Sequence, residues 1–325
     1  MLEPAELYEV AADAPQLDEP VLLVALEGFV DAGNAARLAV EALLADREAR
    51  NVVRFDADQL VDYRSRRPPL RFETDHWAAY DPPELDVVAL SDTADTGYLL
   101  LSGPEPDTQW ERFSAAVEQI VRRLGIRLVI NLTAIPMAVP HTRPIGVTAH
   151  GTRPELTEGH EAWFATAQVP GSAVGLMEFR LGEAGLDAMG FAVHVPHYLA
   201  RAEYPQAARV LLDHVGLAAG LYLPTEVLLK AAERAEAEIA EQVEGSDEVR
   251  QVVQALERQY DTVSTGRGER SSLGLSGTLP SADELAAEVE RFLAGHGDAD
   301  NSDDNNSDDN SDDNGDEGRG GAQPS

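Results

Sequence analysis

The chain has 325 residues, and its 58 Asp and Glu residues outnumber 25 Lys and Arg residues, which gives a formal net charge of −33. Such an acidic protein is not expected to bind nucleic acid, because the phosphate groups would be repelled. Hydrophobic residues make up 43% of the chain, which is enough for a large core. No apolar run approaches the roughly 18 residues of a membrane-spanning helix, so we expect a globular protein without a membrane partner.

Two further absences limit the kinds of site that the chain can form and the place where we expect it. The chain contains no cysteine, which excludes disulfides, thiolate nucleophiles and cysteine-based zinc or iron-sulfur sites. Residues 1–15 lack the cationic start and the apolar stretch of a signal peptide. We therefore expect a cytoplasmic protein.

The first strong pattern is VLLVAL at residues 21–26, a continuous apolar run that is typical of a strand buried on both faces. A glycine-bearing turn follows, and then a helical spacing of apolar residues that includes Leu38, Ala42 and Ala45. Residues 52–58 supply the next strand after a short link. The order strand, turn, helix and strand predicts a βαβ unit and therefore a parallel sheet.

Further strands are predicted along the chain together with one well-marked helix. The helix follows Gly103: Thr108 and Glu111 predict a capping box at its start, and Gly125 predicts its end. A long irregular stretch is expected at residues 136–159, before the last strand. The predicted strands lie at residues 70–74, 86–90, 98–102, 127–135 and 191–196.

From residue 205 onward the pattern is almost wholly helical. Helices are predicted at residues 205–219, 224–244 and 247–263, and Ser246 is expected to cap the third. The second and third helices have narrow apolar stripes, so they are expected to form a hairpin that needs a partner surface.

The end of the sequence changes character twice. A linker rich in glycine and serine precedes a predicted docking helix, which begins with a capping box of Ser281 and Glu284. The NSDDN repeats that follow are too polar to offset their ordering entropy, which predicts disorder. We therefore divide the chain into an α/β core at 1–222, a helical hairpin at 223–264, a linker at 265–280, a docking helix at 281–295 and a disordered acidic tail at 296–325.

The turn after the first strand, GFVDAGNAA, is the first candidate site. It places Asp31, Gly33 and Asn34 at a helix N-terminus beside the carboxyl ends of the predicted strands, where open α/β sheets bind ligands. The segment matches neither the dinucleotide-binding motif nor the Walker motif. Asp31 would repel a phosphate unless it binds a sugar hydroxyl or caps the helix, and a simple capped turn is the favoured interpretation.

The second candidate is the segment VPHTRP, which follows the strand at 127–135. Two prolines fix the backbone around His141, Thr142 and Arg143, which offer a proton carrier, a hydroxyl and an anion-binding fork. This set suits an anionic or carbonyl ligand, but the arginine could equally pair with one of the many carboxylates. Thr133 and Glu178 could join the same pocket.

Metal and cofactor sites are not predicted. His194 and His197 stand three residues apart in a strand-like segment, so their side chains should point to opposite faces, against shared metal ligation. We interpret Met177, Phe179 and Trp163 as core or interface residues without a cofactor role.

Four segments together resemble one family. GFVDAGNAA, NLTAIPMAVPHTRPIGVTAHGT, VPHY and LPSADELAAEVERFL, in this order between residues 17 and 295, are similar to the bacterial (actinobacterial) branch of the proteasome assembly chaperone family. The resemblance implies a three-layer α/β/α core similar to nucleoside phosphorylases and related hydrolases, with an added helical part. It also implies self-association, with a trimer as one arrangement, and proteasome subunits as partners of the relatives.

Two functional hypotheses follow. The first is a non-catalytic protein that resembles an assembly chaperone and binds a partner or its own copies. The second is a phosphorylase-like or hydrolase-like enzyme acting on a nucleoside-like or small anionic ligand, with Asp31 on a hydroxyl, Arg143 on an anion and His141 as proton carrier. The enzyme hypothesis requires these three side chains to share one cleft.

Overall fold

A mixed sheet of eight strands lies between two layers of helices. The computed structural model of the chain describes residues 2–28, 30–45, 47–160 and 166–267, with side chains described to residue 262. The strands are β1 Tyr8–Val10, β2 Val21–Glu27, β3 Arg50–Phe55, β4 Leu70–Glu73, β5 His76–Tyr80, β6 Asp86–Ser91, β7 Gly97–Pro104, β8 Leu128–Met137, β9 Val147–Gly151 and β10 Ala188–Pro196.

Seven α-helices connect or follow these strands in the described residues. They are α1 Ala35–Leu44, α2 Ala57–Leu60, α3 Trp110–Leu124, α4 Ala173–Glu183, α5 Pro205–Ala219, α6 Glu226–Gly245 and α7 Asp247–Arg267. No helix in this part of the chain is both long enough and apolar enough to cross a bilayer.

The large sheet has the order β1-β3-β6-β7-β2-β8-β10-β9, and β4 and β5 form a separate hairpin. The four central strands β7, β2, β8 and β10 run parallel to one another. The outer pairs are antiparallel. The parallel strands therefore end at one common edge, and this edge carries the candidate site.

The apolar run of β2 is buried on both faces because it occupies the middle of the sheet. Val21 and Leu23 pack toward α1 and α5, whereas Leu22 and Val24 pack toward α3 and α4. Side chains alternate between the faces of a strand, so two opposed helix layers require a continuous apolar sequence. The three-layer α/β/α architecture predicted by the resemblance is confirmed.

The strand β3 lies farther from β2 than a simple βαβ unit would place it. It runs in the same direction as β2 but pairs with β1 and β6, both antiparallel to it. Strands β6 and β7 lie between β2 and β3. Periodicity predicted the strand and the helix before it, but it carries no information on which strands become neighbours.

Two local predictions differ from the structure. Gln109, with φ of 58°, occupies the N-cap of α3 without a side-chain cap bond, and Glu111 pairs with Arg180 instead of capping. The strand β9 lies inside the stretch at residues 136–159 that was expected to be irregular, and the helix α4 was not predicted. Its sequence AVGLMEFRLGE contains two glycines and only a weak apolar stripe, so its helical period is hard to detect.

The predicted helices at the end of the core are present. Helix α5 has the predicted bounds, and α6 and α7 follow it as consecutive helices. The backbone N–H of Val249 donates to the Ser246 hydroxyl oxygen at 3.4 Å, consistent with the expected cap. Trp163, the docking helix at 281–295 and the acidic tail lie outside the described residues, and the domain boundaries stay predictions.

Candidate functional site

The candidate site is a rim where three loops meet at the carboxyl ends of β2, β8 and β10. Asp31 forms a parallel bridge with Ala134 of β8. Gly33 exchanges backbone hydrogen bonds of 2.8 Å with the segment after β10, donating to the Ala200 carbonyl and accepting from the Tyr204 N–H. The loop after β8 joins the rim because the backbone N–H of His141 in this loop donates to the hydroxyl of Tyr198, a residue that follows β10. The parallel strands thus bring together loops that are distant in the sequence.

The Asp31 carboxylate caps α1. One of its oxygens accepts from the backbone N–H of Ala36 at 2.7 Å, and the other accepts from that of Arg37 at 3.0 Å. Burial raises the pKa of Asp31, and these two hydrogen bonds oppose the rise because they stabilise the charged form. Both carboxylate oxygens are therefore occupied by the chain itself, as expected for a capped turn.

Gly33 and Asn34 shape the turn through their backbones. Both have positive φ, 66° and 50°, a conformation that glycine and asparagine tolerate better than other residues. A Cβ at Gly33 would lie 2.8 Å from the Cβ of Tyr204 and 3.3 Å from Cγ1 of Val195. Glycine at this position therefore permits close approach of the turn to the segment after β10.

His141 is half-buried against Tyr198. The Tyr198 hydroxyl oxygen accepts the His141 backbone N–H at 2.9 Å and lies 2.7 Å from Nδ1 of the ring. Having accepted that N–H, the hydroxyl can donate its own proton to Nδ1, which leaves the ring proton of neutral His141 on Nε2. Burial lowers the pKa of His141 and raises that of Tyr198 to about 12. The neutral forms of both side chains are thus favoured.

Thr142 and Arg143 face α7. Arg143 donates from Nε and Nη2 to the two carboxylate oxygens of Asp261, both at 2.8 Å, and from Nη1 to Glu257 at 3.2 Å. The Thr142 hydroxyl donates to the same Glu257 oxygen at 2.5 Å. The hydrogen bond to Asp261 raises the pKa of Arg143 above its ordinary value. In the structure, the predicted anion-binding fork holds two carboxylates of the helical hairpin.

Thr133 and Glu178 are not part of this rim on the α1 side. Ala134 and the Asp31 turn belong to the α1 and α5 side of the sheet, and Thr133, the preceding residue of β8, therefore points to the other side. Glu178 lies on α4, which packs on that other side. The structure therefore places Thr133 and Glu178 on the face of the sheet opposite to the Asp31 turn.

A second polar cluster lies on the α4 side of the sheet. Asn131 of β8 is fully buried, and its Nδ2 donates to Glu178 at 2.7 Å. The other Glu178 carboxylate oxygen is 2.8 Å from Nδ1 of His150 on β9. The ring of His150 lies where a Cβ on Gly190 of β10 would be, with Cε1 only 2.4 Å away. Glycine therefore lets the imidazole lie against the strand.

Glu178 was a candidate site residue from the sequence, whereas Asn131 and His150 were not predicted. Asn131 interrupts the apolar strand LVINL, and a polar residue in a strand buried on both faces signals a partner, since an unpaired buried amide is costly. The partner could not be named because Glu178 lies 47 residues away on a helix that was not predicted. Among the described residues no group of three or more acidic or histidine side chains is placed to hold a metal ion.

Comparison with known proteins identifies the family. The sequence model of the PAC2 family matches residues 25–243. A Mycobacterium tuberculosis protein of unknown function is 49% identical, with a TM-score of 0.77 over 82% of this chain and 92% of its own. A Corynebacterium glutamicum protein of unknown function is 38% identical, with a TM-score of 0.76 over 82% of this chain and 99% of its own.

A further solved structure carries a functional description. The proteasome-assembly chaperone homologue of Mycobacterium tuberculosis is 27% identical, with a TM-score of 0.66 over 72% of this chain and 99% of its own. No protein among those with curated function matches the chain. The family model spans most of the α/β core, and the resemblance found in the sequence is confirmed: the chain belongs to the PAC2 family.

Proposed function

We propose that this chain is a non-catalytic assembly chaperone that binds proteasome subunits. The observation that carries the proposal is the family match over residues 25–243, together with 27% identity to a proteasome-assembly chaperone homologue. Because proteasomes assemble in the cytoplasm, the proposal places the chain there as well.

The contacts at the rim support binding over turnover. A phosphorylase-like enzyme would need Asp31 and Arg143 available for its ligand. Both Asp31 oxygens accept backbone N–H groups of α1, and the Arg143 fork is filled by Asp261 and Glu257. The family match and these contacts favour the assembly chaperone over the enzyme alternative.

The helical part of the molecule exposes apolar side chains that suit a protein partner. Leu217 of α5 is 83% exposed, Tyr222 after it 70%, and Val227 of α6 63%. Large apolar side chains that face solvent in this number are typical of protein interaction surfaces. We propose that these three residues contact the proteasome subunit, and that the chain also associates with its own copies, with a trimer as one arrangement.

Binding of purified proteasome subunits to the immobilised full-length chain tests the proposal. The variant Leu217→Ser with Tyr222→Ser should weaken subunit binding by about tenfold or more, because apolar contacts at the centre of an interface carry much of its affinity. The matched control is Leu2→Ser with Phe179→Ser, two residues of similar exposure elsewhere on the molecule, which should bind as the unaltered chain does. No binding of any proteasome subunit by the unaltered chain would refute the proposal.

A further inference from the structure

We infer that the β4–β5 hairpin of one copy of this chain docks into an acidic groove beside β1 and β3 of another copy. The inference rests on the self-association proposed above and assigns a surface to it. We call residues 64–80 the arm. We call the cavity lined by residues of β1, β3, α2 and the segment before β6 the acidic groove.

The arm has almost no support from the rest of the described chain. Every residue of β4 and β5 except Ala79 is exposed. Leu70, Phe72, Trp77 and Tyr80 are all large apolar side chains in contact with solvent, and the rings of Phe72 and Trp77 pack edge to face at 5.1 Å. An isolated two-stranded hairpin is only marginally stable in water, so an ordered arm of this composition calls for a covering surface.

The arm is cationic within a strongly acidic molecule. Its four arginines, at positions 64, 66, 67 and 71, stand against Glu73 and Asp75, a net charge of +2 in a chain of −33. Arg64, Arg67 and Arg71 are exposed. Arg66 is committed to the body of the molecule through Asp107 and the Glu27 carbonyl. The exposed face of the arm therefore combines aromatic rings with guanidinium groups.

The acidic groove has the complementary character. Its volume is about 390 Å³, enough for side chains of a partner, and Tyr8, Phe55, Tyr63, Pro82 and Pro83 supply apolar walls. Its lining contains one arginine, Arg54, and six carboxylates, which belong to Glu6, Glu9, Asp56, Asp58, Glu84 and Asp86.

Part of this negative charge is uncompensated. Glu6 pairs with Arg112, and Asp86 pairs with Arg54. Glu9 and Glu84 are exposed and form no ion pair with a described residue. A guanidinium that enters the groove would meet carboxylates that are not already neutralised, beside tyrosine and proline surfaces on which it can stack.

The position of the groove makes a second copy the fitting occupant. Tyr63, Pro82 and Pro83 line the groove and also flank the arm, so the two surfaces are neighbours on one molecule. Repeated copies can then pair arm with groove in a closed arrangement, reciprocal in a dimer or head to tail in a ring. The groove also borders β1, whose outer edge pairs with no other described strand and could take a further hydrogen-bonded strand.

Charge reversal in the full-length chain tests the inference by sedimentation over a range of concentrations. Arm reversal, Arg67→Glu with Arg71→Glu, and groove reversal, Glu9→Arg with Glu84→Arg, should each weaken self-association by about 100-fold or more, because like charges then face each other. All four substitutions in one chain should restore it to within about tenfold of the original, in a dimer or in a ring. The recovery also shows that the altered chains fold.

The control variant is Glu238→Arg with Glu241→Arg, two exposed residues of α6, which changes the net charge as groove reversal does and should leave association unchanged. The inference is overturned if either reversal has no effect on an associating chain, or if the combined variant stays as weak as the single reversals. In either case the chain would still self-associate, but not through the arm and the acidic groove. An unaltered chain that is monomeric at all concentrations would contradict both the proposed self-association and this inference. Arm reversal that abolishes capture of proteasome subunits but not self-association would assign the arm to the foreign partner and also contradict the inference.

Discussion

The turn that follows β2 depends on the absence of a side chain at one residue. Gly33 is buried, has a φ of 66°, and lies against Tyr204 and Val195. Its N–H and carbonyl both bond to the segment after β10. Since the same turn carries Asp31, the cap of α1 and the contact with the neighbouring loop are built on a single backbone conformation.

Gly33→Ala should destabilise the fold by about 2–4 kcal/mol, because a left-handed conformation and an overpacked contact are both imposed on the alanine. Gly220→Ala is the matched control. Gly220 has a φ of 70° but nothing within 4 Å of its Cβ position, so only the conformational cost of about 1–2 kcal/mol should remain. Urea unfolding measures both, and equal losses in the two variants would contradict the packing argument.

The contribution of His141 to the stability of the fold should depend on pH. Burial lowers the pKa of His141 in the folded state, while the nearby Glu257 and Glu236 act in the opposite direction and Tyr198 stays neutral. On acidification below about pH 6.5 the unfolded chain takes up a proton at this histidine before the folded chain does. The contribution of His141 to stability is therefore present above that pH and is lost as the pH falls.

His141→Asn should flatten the pH dependence of stability between about pH 6.5 and 5 relative to the unaltered chain. Asparagine retains an acceptor for the Tyr198 hydroxyl but does not titrate. Burial also lowers the pKa of His214, so that residue contributes the same sign to both proteins and cancels in the difference. Urea unfolding at several pH values gives the two curves, and parallel curves would show that His141 does not titrate differently on folding.

At the scale of elements, the helical hairpin is tied to the rim by polar contacts. Arg143 binds Asp261 and Glu257, and Thr142 also binds Glu257. The Tyr260 hydroxyl donates to the Pro144 carbonyl at 3.2 Å. Exposed ion pairs contribute little to global stability, so these contacts mainly fix the position of α7.

Arg143→Ala should therefore accelerate hydrogen exchange in the first four turns of α7 severalfold while leaving the central strands unchanged. Arg250→Ala is the control, because Arg250 pairs within the hairpin, with Asp247 and the Glu244 carbonyl. Exchange followed by mass spectrometry reports each segment. If both variants changed α7 alike, the rim would not be what holds this helix.

A helix or strand can be predicted from sequence when the residues that stabilise it lie close together in the chain. The strand β2 and the helix α1 were predicted because a continuous apolar run and a helical spacing of apolar residues are both visible within a few residues. The helix α4 was not, since its two glycines and weak stripe hide the period and its stability comes from packing on α3. The same reason explains why strand order was not predicted: β3 and β2 are separated by strands that come later in the chain.

The candidate site shows the same limit at the scale of the whole molecule. Asp31 and His141 lie in loops that follow neighbouring parallel strands, and both loops are at one edge of the sheet because parallel strands end together. The partners of Arg143, however, lie 114 and 118 residues farther along the chain, and only the folded structure brings them near. The sequence identifies residues whose side chains are able to bind a ligand. Whether those side chains are available for a ligand depends on contacts with residues that are distant in the sequence.

The proposed function concerns the whole molecule: we propose that the chain acts by binding proteasome subunits during their assembly. The most direct measurement is the rate at which purified proteasome subunits form complete particles, followed by native electrophoresis with and without an equimolar amount of the full-length chain. If the chain acts as proposed, complete particles should form faster in its presence, and the chain should be bound to incomplete ones. The variant Leu217→Ser with Tyr222→Ser should accelerate their formation only slightly, because it binds the subunits weakly. An unchanged rate, with no incomplete particle that contains the chain, would contradict the proposed function.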